Sequence, residues 1–402
     1  MTQLHYSYKD VFRALRLGFS AKKVWMMFLG LLTGFAGYSL LTYLAYVAAG
    51  ADFLLVWEEF RLLPFPDPLV AGFPWFSWLI YAIAVTFFAC SALLSGTAVA
   101  KVTFEQLRGD EFFESREAFR FAFRHWSSVL ASPLLVLGFV ALLVVAGLIL
   151  SALGAIPYFG EIVVSLLALP ALAASFFIVY LLVVLFFGFL LIPGIVGATR
   201  NDTFDTIFEV FSCLNEQPAR LVWYLAILGA LSKIGAVLFG LATSAAGRIG
   251  YGILSVFMPN KLPDVASNAA FYFQVSLPSW WPEPARAAFV TFCNLLGLPQ
   301  VYTPGDYLSL SWSSDIAALF LGAGFYFVAI LVMAYGCSVW YSGSVLVYAV
   351  LAQKKDERNV LEAPEDDEDL LEPVVKPEDV KPGCAPAESK TAGSPVETKP
   401  QA

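Results

Sequence analysis

An all-α polytopic transmembrane helical bundle of about six spans is the fold class that this sequence of 402 residues predicts. Three observations predict it. Apolar runs at 24–49, 73–100, 129–156, 162–192, 221–241 and 316–351 match or exceed the roughly 20 residues that cross a bilayer. Charged residues make up only 14% of the chain and mean hydropathy is +0.72, where a soluble domain carries about 25% charge. Lysine and arginine gather in alternate segments between the runs.

The chain opens with Lys9-Asp-Val-Phe-Arg-Ala-Leu-Arg-Leu-Gly-Phe19. Apolar residues at three- and four-residue steps read as an amphipathic helix, and Ser7, three before Asp10, is its start signal. Two later segments have the same character: Glu117-Ala-Phe-Arg-Phe-Ala-Phe-Arg-His-Trp126 and Asp205-Thr-Ile-Phe-Glu-Val-Phe-Ser-Cys-Leu214. Each feeds directly into a span. The body then reads as three repeats of an elbow helix plus a helical hairpin, with units 1–103, 104–200 and 201–355. Internal repeats of this kind are common in transporter folds. Lys22 and Lys23 precede the first run, but without a small-residue cleavage site the run reads as a retained span.

Two runs are too long for one span. Pro170 is a candidate start for the fourth helix, which leaves 162–169 as an interfacial or re-entrant piece. Residues 245–258 read as a separate Gly-rich surface segment, because Arg248 would otherwise lie roughly 40 Å from Arg220. The segment 258–314 is rich in Pro and aromatics, with Pro278-Ser-Trp-Trp-Pro-Glu-Pro284 and an amphipathic stretch at 285–296. From Gln353 on there are 13 acids against 7 bases. Low hydrophobicity with high charge predicts a disordered acidic tail at 356–402.

Basic residues set the topology. Lys9, Arg13, Arg16, Lys22, Lys23, Lys101, Arg108, Arg116, Arg120, Arg124, Arg200, Arg220, Lys354, Lys355 and Arg358 fall on one side. Arg61, Arg248, Lys261 and Arg286 fall on the other. The positive-inside rule then places both termini in the cytoplasm. Trp57, Trp75, Trp78, Trp280, Trp281 and Trp312 sit on the outer side as headgroup anchors.

No reaction centre is visible. Cys90, Cys213, Cys293, Cys337 and Cys384 form no close pair, and His5 and His125 have no partner at metal-ligand spacing. No phosphate-binding loop, nucleophile elbow or dinucleotide fingerprint occurs. The chain therefore reads as no enzyme, with no catalytic residue, no cofactor, no metal and no nucleic-acid partner. Asn201-Asp-Thr203 reads as helix-cap chemistry. Two features remain as candidate sites. Arg13, Arg16, Arg120 and Arg124 on the elbow helices are placed to contact lipid headgroups, as interfacial helices do. Lys233, about 20 Å into the fifth run, is a candidate functional charge within the membrane.

Several stretches carry a resemblance: Ala14-Leu-Arg-Leu-Gly-Phe-Ser-Ala-Lys-Lys-Val-Trp25, Ala198-Thr-Arg-Asn-Asp-Thr-Phe-Asp-Thr-Ile-Phe208 with Gln217-Pro-Ala-Arg220, and Tyr341-Ser-Gly-Ser-Val-Leu-Val-Tyr348. On these the chain resembles uncharacterised multi-pass bacterial membrane proteins. Those are distantly similar to the membrane domain attached to some glycerophosphodiester phosphodiesterases. The resemblance covers residues 5–358 and not the phosphodiesterase catalytic domain. It implies the bacterial cytoplasmic membrane and a role around lipids or envelope assembly, and it transfers no site residue. The function expected is that of a non-enzymatic scaffold or accessory subunit, in contact with membrane lipids and other membrane proteins. The alternative is a transporter or lipid-handling permease, resting on the repeat, Lys233 and the aromatic outer segment.

Overall fold

The computed structural model describes residues 5–67, 72–273, 277, 280–295, 308–309, 311–356 and 359–362. The tail beyond 362, with Cys384, and parts of the segment 274–310 lie outside the described residues. The chain divides into a helical unit, Met1–Leu361, and a tail unit, Glu362–Ala402. No strand occurs among the described residues.

In chain order the helices are α1 (Tyr8–Val11), α2 (Arg13–Gly18), α3 (Ala21–Ala48), α4 (Phe53–Phe60), α5 (Trp75–Arg108), α6 (Ser115–Arg124), α7 (Trp126–Gly154), α8 (Phe159–Leu166), α9 (Ala168–Thr199), α10 (Thr203–Glu216), α11 (Pro218–Ser255), α12 (Lys261–Phe273), α13 (Glu283–Leu295) and α14 (Trp312–Asp356). Six of them, α3, α5, α7, α9, α11 and α14, are long and apolar enough to cross a membrane. The protein is thus an all-α polytopic membrane bundle. In lipid only such internally bonded helices, or closed barrels, satisfy the backbone.

The order short helix, long helix, one or two short connecting helices, long helix recurs through the chain. Within each hairpin the two long helices pack together: α3 with α5, α7 with α9, α11 with α14. Each elbow helix then packs on the second long helix of the hairpin before it. Helix α6 lies on α5 and α10 lies on α9, while α1 and α2 lie on α14 and so close the ring.

The core sits at the elbow end, where α5, α9 and α14 converge. Their buried stretches run over 93–107, 181–198 and 329–352. In lipid no hydrophobic force drives helices together, so close approach and hydrogen bonds must do it. Gly194 and Gly197 allow that approach. A Cβ on Gly194 would come 3.0 Å from the Ser344 backbone, and one on Gly197 would come 2.8 Å from Ala100 Cβ. Beside them Thr103 donates to Ser342 at 3.0 Å and the Trp340 indole N–H donates to the Leu190 carbonyl at 3.3 Å.

The other end, called here the far end, is looser except where a loop is pinned. The irregular backbone after α4 folds back along α3. Ser39 donates to the Leu62 carbonyl at 2.8 Å, Tyr38 to Pro64 at 2.9 Å and Tyr46 to Phe65 at 2.5 Å, while Tyr43 donates to Arg61. These hydroxyls replace the water that exposed carbonyls would need. The Arg61 guanidinium stacks over Phe271 of α12 at 4.3 Å and the Trp280 indole donates to Pro66 at 2.7 Å.

Three sequence-based expectations change. Residues 245–255 are no separate segment, because α11 runs unbroken to Ser255. Glycine costs only about 1 kcal/mol per helical residue, less than unsatisfied backbone would cost in lipid. Lys101 is not in a loop but inside α5, which ends only at Gly109, a left-handed cap with φ 111°. The compact unit also continues past Asp356 to Leu361, because Val360 and Leu361 are buried and Tyr6 donates to Asn359 at 2.6 Å.

Gly197→Ala therefore lowers the thermal unfolding midpoint of the detergent-solubilised protein, since the overpacking costs about 1–3 kcal/mol of stability. Gly138→Ala, where no atom lies within 4 Å of the added carbon, leaves it unchanged or raised.

Candidate functional site at the elbow end

The first elbow begins where a side chain meets the free backbone N–H groups that every helix start leaves. The Asp10 carboxylate accepts from the backbone of Ser7 at 3.2 Å and of His5 at 2.9 Å, and it forms a capping box with Ser7. Asp202 stands at the N-cap position of α10 and Glu114 at that of α6, neither with a side-chain hydrogen bond to the helix start. One face of each elbow is buried: Val11 and Ala14 in the first, Ala118, Phe121 and Ala122 in the second, Ile207, Val210 and Leu214 in the third.

The opposite faces are aromatic and open. Phe12 and Phe19, Phe123, and Phe204 with Phe208 are exposed in the first, second and third elbows. Leu15 and Phe119 pack instead on the bundle. One regularity was missed in the sequence. Trp25, Trp126 and Trp223 lie within the first two turns of α3, α7 and α11, and all are exposed, at 56%, 57% and 62%. Exposed tryptophan near the start of each hairpin is the placement that tryptophan takes at a membrane–water interface. The signal was present as one tryptophan per unit, soon after each elbow.

The candidate arginines fall on this open face. Arg16, Arg120 and Arg124 are exposed, and Arg13 is half-buried with its Nε 3.6 Å from Asp10. Lys233 is exposed on α11 beside exposed Ile234. On the neighbouring face, Ser232 donates to Gly336 at 2.6 Å. The structure thus brings the arginines to one end and leaves Lys233 apart from them, on the outward surface of the bundle.

Beneath the open face lies a buried set of charges. Lys101 Nζ is 2.5 Å from Glu105 one turn on, and Arg108 is 3.9 Å from the same carboxylate. Phe121 of α6 presses on them, with Lys101 4.9 Å and Arg200 5.9 Å from its ring centre. The His125 ring stacks on Phe121 at 4.3 Å and its Nδ1 donates to the Phe121 carbonyl at 3.0 Å. Burial, with Arg124, Arg200 and Lys101 nearby, holds this imidazole below its ordinary pKa. Lys23 is buried too and donates to Gln106 at 2.8 Å and to Leu17 at 3.0 Å. On the third elbow, Glu209 accepts from Tyr348 at 2.9 Å and pairs with Lys355 at 3.5 Å, tying α14 to α10.

This arrangement anchors each elbow to the bundle through its inner face and presents aromatics and arginine outward. Among the described residues no cluster of three metal-ligating side chains occurs. Comparison of the chain with protein-family models, curated proteins and solved structures found no match.

The Lys101–Glu105 pair makes a sharp prediction. Glu105→Gln leaves Lys101 buried without its carboxylate and costs about 3–5 kcal/mol, whereas Lys101→Met combined with Glu105→Leu costs far less or nothing. Thermal unfolding of the three proteins in one detergent measures the difference.

Proposed function

We propose that the chain is a non-enzymatic scaffold or accessory subunit of a membrane complex, seated in the bacterial cytoplasmic membrane with both termini and the elbow helices on the cytoplasmic side. The observation that carries this reading is the α7–α9 hairpin. Only 11% of the most apolar stretch of α7 is buried, against 39% in α3. Leu142, Leu148 and Phe176 stand exposed toward the far end. Meanwhile the axis at the elbow end is filled by α5, α9 and α14. A body closed at one end, with α7 largely uncovered, suits docking within the bilayer better than passage through it. The resemblance to multi-pass proteins akin to phosphodiesterase membrane domains agrees with a role around lipids or envelope assembly. In this reading Arg16, Arg120 and Arg124 meet anionic headgroups, each contributing about 1 kcal/mol.

A second reading, a transporter or lipid-handling permease, draws on one observation: a cavity of about 490 Å³ between α11, α12 and α14. A photocrosslinking residue in place of Leu142 or Leu148 separates the two. The scaffold reading expects a stoichiometric protein adduct in native membranes and co-purification of that partner after mild solubilisation. Lipid adducts alone, with an isolated monomer that moves labelled lipid across vesicles, would overturn it in favour of the permease. Reagent access from outside the cell to a cysteine placed at Arg200 would overturn the orientation.

A further inference from the structure

We propose that the groove beneath the first elbow, between α3, α11 and α14, is a binding site for one anionic phospholipid of the elbow-end leaflet. One acyl chain enters the groove and the phosphate meets Arg16. The proposal rests on the elbow arginines facing headgroups, and it stands whether the chain is a scaffold or a permease.

Leu331, Tyr335, Val339 and Gly343 follow one another at four-residue steps on α14, so they form one row on one face. The first elbow lies on the half of that row nearer the elbow end. A Cβ on Gly18 would come 2.5 Å from the Val339 backbone, and one on Gly343 would come 3.0 Å from Ala14. Helix α11 walls the same track, where a Cβ on Gly235 would come 2.8 Å from Leu15. The elbow leaves the other half of the row uncovered. A groove of about 320 Å³ lies there, floored by Leu331 and Tyr335, walled by Phe239 of α11 and by Val24 and Trp25 of α3, and roofed by Phe19. Phe19 and Trp25 are exposed, so the mouth opens sideways on lipid.

These contacts set the depth. Arg16 falls between Ala14 and Gly18 and is therefore level with residues 339–343 of α14. Residues 331–335 lie eight positions, about 12 Å, nearer the far end. Counted along α14 from exposed Trp312, the groove floor is about 28–35 Å away and the level of Arg16 about 44 Å. Those distances reach the inner edge of a hydrocarbon core about 30 Å thick and the headgroup layer beyond it. Exposed Trp25 at the mouth is the residue type that settles at that boundary. Arg16 is exposed, lies opposite the face that Ala14 and Gly18 bury, and pairs with no carboxylate among the described residues. Lys22, its neighbour in sequence across the turn, is engaged by the Phe113 carbonyl. A free cation about 12 Å above an apolar groove matches a phosphate above its acyl chain. The Phe19 roof also ends the groove. A partner helix crossing the membrane passes over the mouth, whereas a flexible chain enters under the roof.

The test uses the full chain in lipid nanodiscs, with phosphatidylglycerol or phosphatidylcholine carrying a photoactivatable group midway along one acyl chain. The expected result is adducts at Val24, Phe239 and Leu331 well above those at exposed Leu142 of α7. Arg16→Ala lowers phosphatidylglycerol labelling of the groove about five-fold, the worth of one basic contact near a headgroup, and leaves phosphatidylcholine labelling unchanged. Arg120→Ala, on another elbow, leaves both unchanged. Ala21→Trp closes the mouth and abolishes labelling by both lipids. Leu331→Trp repeats that test if Ala21→Trp proves poorly folded by helix content and size-exclusion profile. Groove labelling no higher than at Leu142, or labelling that survives both filling variants, overturns the site. Equal phosphatidylglycerol labelling with and without Arg16 overturns its anionic character. An equal loss in Arg120→Ala overturns the site and spares the reading that the elbow arginines face headgroups. A protein adduct to a photocrosslinking residue in place of Ala21, in native membranes, overturns the occupant.

Discussion

The structure depends on how closely α5, α9 and α14 approach one another at the elbow end. Lipid tails are as apolar as leucine, so burying leucine between helices gains little in a bilayer. What remains is van der Waals contact and hydrogen bonding. Gly194 and Gly197 bring backbone against neighbouring helix surface, and Thr103 adds a hydrogen bond to Ser342 there. The elbow helices ride on this core. Each packs on a long helix that belongs to the preceding hairpin, so the hairpins are linked in a ring and no unit is complete alone. The Ser338 hydroxyl donating to the Gly18 carbonyl at 3.0 Å sits at the closing contact.

Charge obeys the same constraint. A cation inside a bundle is tolerated when a partner is at hand. Lys101 has Glu105 one turn away, and Lys23 has Gln106 and a free helix-end carbonyl. The elbow arginines need no such partner where they face headgroups. The protein therefore carries two layers of positive charge at this end, one buried and structural, one exposed at the surface. Counting lysine and arginine by segment merges the two, which is why the count predicts the sidedness but not the role of each residue.

Much of the fold was legible in the sequence because it is periodic. Long apolar runs marked the six spans, and three- and four-residue steps marked the elbows, including the Ser7–Asp10 capping box. Non-local structure was not legible. Residues 61–65 are held by hydroxyls of α3 that lie 18 to 26 positions away, and no local pattern announces that. The run of α11 on to Ser255 was not legible, because the length of a bilayer crossing says where a helix leaves the hydrocarbon and not where it ends. Of the candidate site, the arginines were found by amphipathic pattern. The three tryptophans were overlooked because they are far apart in sequence and share only their place in the unit.

The central claim is that the ring closes, with the first elbow seated on the last long helix. A Cβ on Gly343 would lie 3.0 Å from that of Ala14, about half an ångström inside the separation that a disulfide spans, a gap that a slight shift of α2 opens. Ala14→Cys with Gly343→Cys, in a background lacking the native cysteines, should therefore oxidise to an intramolecular cross-link in native membranes. The test is that cross-link, read as a mobility shift reversed by reductant. Near-complete cross-linking is the result this account predicts. Absence of the link, in a variant that inserts and folds normally, would contradict it and leave the hairpins as an open row.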